Sequence, residues 1–180
     1  MKKTIHQFDR ALKECRQIYI SKGGDYGPSW RVLRPQTLTD QLLIKSRRIR
    51  QIETSGQSAV GEGILPEFMA LVNYGIMAII QIRHGVADHK DMNSTEALSE
   101  YTRTADEAKA LMIVKNTDYG EAWRDMRVSS YTDLILAKLE RIKEIENNGG
   151  HTDVSEGIES NYFDIINYAV FGIIRLTEKS

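Results

Sequence analysis

The chain has 180 residues, with 24 basic and 25 acidic side chains and a formal net charge of −1. That balance excludes a molecule-wide nucleic-acid magnet and a polybasic membrane anchor. A single cysteine, Cys15, excludes an intramolecular disulfide and a thiolate-rich metal site. The polar N-terminus has no secretory apolar core, and the apolar patch around Gly75 to Ile80 is too short to span a bilayer. These features predict a cytoplasmic globular protein with no membrane partner.

In chain order, the first predicted helix covers Thr4–Ser21. Ile5, Phe8, Leu12, Cys15 and Ile18 fall on one helical face, which makes Cys15 a small packing residue rather than a nucleophile. Gly23-Gly24 ends it. A loop follows with Asp25-Tyr26-Gly27, Trp30, Arg31 and Arg34. The second helix is expected from Thr37, with Asp40 three residues on in a near relative of a capping box, to about Glu53. The third and longest is expected at about Val60–Arg83.

The chain then repeats itself. Lys22-Gly23-Gly24-Asp25-Tyr26-Gly27-Pro28-Ser29-Trp30-Arg31 returns as Lys115-Asn116-Thr117-Asp118-Tyr119-Gly120-Glu121-Ala122-Trp123-Arg124, 93 positions later. Arg34 and Arg127, Asp40 and Asp133, Lys45 and Lys138, Arg48 and Arg141, and Glu53 and Glu146 keep that offset. One extra residue enters near Gly149-Gly150, after which Glu62 matches Glu156 and Asn73-Tyr74 matches Asn167-Tyr168. The second set of helices is expected at Ser94–Val114, Ser130 to about Glu146, and Asp153–Glu178. No window alternates convincingly at period two. The expectation is an all-α fold of two three-helix repeats, residues 1–84 and 94–180 with linker 85–93, packed into one pseudo-twofold bundle.

Polar residues interrupt the apolar seams. Leu42, Lys45, Ile49 and Ile52 share a stripe, as do Ile135, Lys138, Ile142 and Ile145. A lysine there snorkels, finds a carboxylate, or walls a phosphate or carboxylate-rich metal site. If the partner is a carboxylate, Glu62 and Glu156 are the first candidates. On the last helix, Ser160, Asp164 and Asn167 share a face, and such oxygen donors suit Mg²⁺ or Mn²⁺. Pro66 and Ala70 stand where the second repeat has Ser160 and Asp164, so a ligand site is expected to be richer in oxygen donors in the second repeat. Asn73 and Asn167 also read as buried amides that set register. The loop tryptophans and arginines either stack and clamp a nucleotide or plug the end of the bundle and form salt bridges. His6, His84, His89 and His151 lack metal-ligand spacing. Walker-type phosphate loops, serine elbows and dinucleotide fingerprints are absent.

The paired Lys-x-x-Asp-Tyr-Gly-x-x-Trp-Arg segments, the Thr-Asp helix with Lys-x-x-Arg-Ile, and the glutamate helix ending in Asn-Tyr resemble the nucleotide modification associated domain one family, formerly a domain of unknown function. The resemblance covers nearly the whole chain and implies an association with nucleotide metabolism, without a firmly assigned reaction. More distantly, the helix arrangement is similar to the all-alpha nucleoside triphosphate pyrophosphohydrolases, which hold Mg²⁺ with Glu-x-x-Glu on one helix and Glu-x-x-Asp on the next. Here only Glu156-Gly157-Ile158-Glu159 reproduces the first spacing, and Asp164-Ile165-Ile166-Asn167 ends in an amide.

The resulting expectation is a nucleotide-binding protein, with a Mg²⁺-dependent pyrophosphohydrolase as its catalytic form. In that form Glu156 and Glu159 are catalytic, and both hold metal with Asp164. Tyr119, Trp123, Arg124, Arg127, Lys138, Arg141 and Asn167 would bind the nucleotide. The alternative is a non-catalytic helical scaffold for protein partners. A homo-oligomer is compatible with either.

Overall fold

In a computed structural model, residues 1–24, 26–56, 63–151 and 157–178 are described. They form six α-helices and two 3₁₀ turns, with no strand among them. The helices are α1 (Lys2–Gly23), α2 (Pro35–Ser55), α3 (Leu65–His84), α4 (Ser94–Tyr119), α5 (Val128–Asn147) and α6 (Ile158–Thr177), and the turns are Ser29–Val32 and Ala122–Asp125. The all-α, two-repeat architecture follows the sequence reading, whereas several boundaries differ from it. Helix α2 begins two residues early because Pro35 supplies a helical φ where no N–H is required. Helix α4 runs on through Asp118 and Tyr119 and ends where Gly120 takes φ +58°. The Asp-Tyr pair of the second repeat is therefore helical, not part of a loop. The third helices run from Leu65 and from Ile158; residues 60–62 and 153–156, expected in them, and Asp25 lie outside the described residues.

Helices α3 and α6 form the centre, with α2 and α5 against them and against each other. Their inner faces meet at small residues. A Cβ on Gly75 would lie 2.8 Å from Ile166 Cγ1, and one on Gly172 would lie 2.8 Å from the Phe68 ring. By length and composition α3 could cross a membrane, with mean hydropathy 1.5, which corrects the expectation that no stretch is long enough. About 67% of it is buried inside the protein, as a core helix requires.

The twofold relation is visible in hydrogen bonds between α2 and α5. Thr39 Oγ1 donates to Glu146 at 2.6 Å, and its repeat equivalent Thr132 donates to Glu53 at 2.8 Å. Each glutamate is the other's equivalent as well, so one contact is made twice across the axis. Tyr162, where the first repeat has Phe68, adds its hydroxyl to Thr39. Cys15 is fully buried, and burial pushes its thiol up to about 12, in keeping with a packing role.

Two outcomes test this arrangement. Gly172→Ala should destabilise the fold by about 1–3 kcal/mol in denaturant titration, because Phe68 is buried and has no space to yield. Burial raises Glu53 and Glu146 above the ordinary 4.5, outweighing the threonine hydroxyls that lower them. The native state then holds protons that the unfolded chain releases, so these groups lose stability for the protein as pH climbs from about 4.5 through their raised values. Replacing both by Gln should flatten that fall in a series of melting curves from pH 4.5 to 7.

Candidate functional site

The lysines of the apolar seams have carboxylate partners, and the two repeats reach this by different registers. In the second repeat, Asp164 on α6 accepts Lys115 Nζ at 2.5 Å and Lys138 Nζ at 2.7 Å, with its side chain only 11% exposed. In the first repeat the carboxylate comes one turn earlier on α3. Glu67, buried, pairs with Lys45 at 3.4 Å and with Arg48. The anticipated partners Glu62 and Glu156 are outside the described residues. Arg141, the equivalent of Arg48, is exposed.

The loop arginines clamp the ends of the third helices. Arg31 is 2% exposed, holds Asp91 through both Nε (2.9 Å) and Nη2 (3.0 Å), and donates to the Gly85 carbonyl at 2.9 Å and to Gln81. Gln81 in turn donates to the carbonyls of Arg31 and Leu33. The fork geometry of a guanidinium suits this shared anchoring, and Arg31 holds the Asp91 carboxyl below its ordinary range. Arg124 does the equivalent at the end of α6. It reaches Glu178 at 3.1 Å, and Thr4 and Gln7 on α1 at 2.7 Å each. Its guanidinium lies 4.4 Å over the Trp123 ring. Trp123 is 5% exposed and stacks on Phe171 at 4.3 Å. In the second repeat, then, the tryptophan packs and the first arginine bonds to protein.

The other anticipated nucleotide contacts separate. Tyr119 is 73% exposed on the surface, and Arg127 is an exposed residue capping α5. Asn167 is buried, with its Oδ1 lacking a hydrogen-bond partner among the described residues. The metal set also disperses. Both oxygens of Asp164 face lysines, while Glu159 binds Arg83, which also takes both oxygens of Glu107. Glu156 is not described, and no group of three His, Cys, Asp or Glu residues among the described residues is placed to hold an ion. The described carboxylates do not fit a Mg²⁺ centre, and no hydrolytic step follows from them.

The open space lies in the first repeat instead. A cavity of about 750 Å³ is bounded by the end of α1, the Ser29–Val32 turn, one face of α3 and the first turn of α4. Tyr19, Trp30 and Tyr74 give it aromatic walls, Ala70 and Met77 form its α3 side, and Lys22 stands at its rim. Tyr19 stacks on Tyr101 at 4.6 Å, with the Trp30 side chain beside its hydroxyl. Asn73 forms part of the floor with its amide satisfied: Nδ2 donates to the Cys15 carbonyl at 3.0 Å, and Tyr101 donates to Oδ1 at 2.6 Å. Lys22 makes no ion pair among the described residues, and Lys90 reaches the Tyr26 carbonyl at 3.0 Å beside Gly27 on the same rim. Gly27 has φ +62°, and a side chain there would meet Lys90 at 3.2 Å.

Residue differences between the repeats account for this cavity. Ala70 replaces Asp164, Met77 replaces Phe171, and Pro28 replaces Glu121, whose carboxylate ties Thr4 of α1 down in the second repeat. Tyr19 replaces Met112 and puts a hydroxyl beside Trp30, while the Trp123 N–H is buried without a partner among the described residues. Sequence reasoning placed the richer site in the second repeat because it counted oxygen donors. Ala70 and Met77, each smaller than its counterpart Asp164 or Phe171, were the signal for a cavity in the first.

Neither a curated protein nor a solved structure matches the chain significantly. The family model described as Nucleotide modification associated domain 1 matches it twice, over residues 22–82 and 115–176. Each match starts at a lysine near the end of the first helix of its repeat, Lys22 in α1 and Lys115 in α4, and ends near the close of the third helix, so it spans the connection, both later helices and their seam. The chain is a tandem member of the nucleotide modification associated domain 1 family.

Proposed function

We propose that this protein binds a nucleotide in the cavity of its first repeat. The observation that carries this reading is an aromatic-walled space of about 750 Å³, with a lysine at its rim that has no ion pair among the described residues. Such pockets suit small ligands that have an apolar body and a few polar groups. A base stacks on an aromatic face with little regard to its identity, and a lysine neutralises a phosphate. The family's association with nucleotide modification agrees in kind. The second repeat acts as the scaffold in this reading, since its tryptophan, first loop arginine and seam lysines are all engaged with protein groups.

Trp30 provides the assay. Trp123 is buried against Phe171, so a Trp123→Phe variant leaves Trp30 as the sole indole reporter. Titration with nucleosides and nucleotides, with and without Mg²⁺, should quench its emission and raise the melting temperature. Lys22→Ala should weaken phosphate-bearing ligands by about 1.5–3 kcal/mol, and Trp30→Ala should cost about 1–3 kcal/mol of stacking. Absence of any response across the panel rejects the reading.

Arg124→Ala separates this site from the one anticipated in the second repeat. It should lower the melting temperature, because contacts to Thr4, Gln7 and Glu178 are lost, and leave nucleotide affinity unchanged in calorimetric titration. A selective loss of affinity would return the site to the second repeat.

A further inference from the structure

The second repeat contains a template for what the first repeat leaves unfilled. Lys115 and Lys138 converge on Asp164, and Trp123 carries the Phe171 ring on its face at 4.3 Å with 7° between planes. Their first-repeat equivalents are Lys22, Lys45, Ala70, Trp30 and Met77. The cations and the tryptophan are thus retained, whereas the anion between the lysines and the ring on the indole are the two groups removed. Both removals fall on the cavity wall. Ala70 and Met77 are two helical turns apart, about 10 Å along α3, with Asn73 and Tyr74 between them.

We infer that the first-repeat cavity takes a ligand with one phosphate-sized anion near Ala70 and one planar ring against Trp30, separated by a spacer of sugar size: a nucleoside monophosphate. The inference rests on the nucleotide reading above and names the ligand class. The template limits it to a single phosphate, because the position that Ala70 leaves small holds one anion, Asp164, in the second repeat. Lys45 already shares Glu67 with Arg48, whereas Lys22 has no ion pair among the described residues. In the second repeat the same two positions are occupied from within by Asp164 and Phe171, so this cavity has no equivalent among the described residues there.

Copying the second repeat's residues into the first provides the test. Ala70→Asp and Met77→Phe, each in the Trp123→Phe background, should bind AMP, GMP, CMP and dTMP at least tenfold more weakly while melting at or above the parent temperature. Ala70→Asn, which adds the volume without the charge, should lose less than Ala70→Asp. The parent should prefer the monophosphates to the matching nucleosides and triphosphates, with one equivalent bound. The double change Asp164→Ala with Phe171→Met, in the chain that retains Trp123, should raise the stoichiometry towards two. If that double variant does not fold, the first-repeat variants still decide the matter. Nucleotide binding that survives both Ala70→Asp and Met77→Phe, or triphosphates bound more tightly than monophosphates, overturns this inference and leaves the nucleotide reading standing. No binding by any nucleoside or nucleotide overturns both.

Discussion

The close approach of α3 and α6 is the constraint on which the rest depends. Where Gly75 meets Ile166 and Gly172 meets the Phe68 ring, a β-carbon would come within 2.8 Å of a buried side chain. Two apolar helices can approach this closely only where one contributes no side chain. Their approach fixes the distance at which α2 and α5 must straddle them, and thereby brings Thr39 to Glu146 and Thr132 to Glu53. The reciprocal threonine–glutamate pairs satisfy groups that burial would otherwise penalise. They set the axial register of the halves, since a slip by one turn would break both pairs at once.

On this symmetric frame the two ends of the molecule have diverged. A carboxylate placed one turn earlier in the first repeat holds Lys45 and Arg48 and leaves the alanine position small. In the second repeat the aspartate fills that position and ties two lysines. The same economy of charge is kept, with different consequences for space. The tryptophans diverge likewise, one sealed between Phe171 and Arg124 and the other beside Tyr19 in a cavity wall.

The fold was legible because the repeat and the helical spacing are properties of residue order. Lys45 and Lys138, lying in otherwise apolar stripes, pointed to carboxylate partners, with snorkelling or a ligand wall as the alternatives. Which carboxylates answered them was less accessible, because Glu67 and Asp164 occupy non-equivalent turns and only packing determines which turn faces a lysine. The loop arginines were ambiguous in the sequence for a related reason. A guanidinium that binds phosphate and one that binds a helix end need the same donors, and Gln81, Gly85 and Asp91 lie far from Arg31 in sequence. The cavity was hardest to foresee, since it arises from residues that are smaller than their counterparts and that carry no chemistry of their own.

Part of the cavity wall belongs to the other half of the chain. Ser94, Ala97 and Leu98, in the opening turns of α4, close one side of the space made by α1, the turn and α3. Arg31 anchors the connector that delivers them, through Asp91, Gly85 and the bond from the Ala87 N–H to its own carbonyl. A lone ninety-residue unit would therefore have an incomplete pocket and would have to borrow the missing side from a second molecule across the same axis. Tandem duplication makes that borrowing intramolecular. It frees one end to keep an open chamber while the other becomes the brace, a division of labour unavailable to two identical subunits.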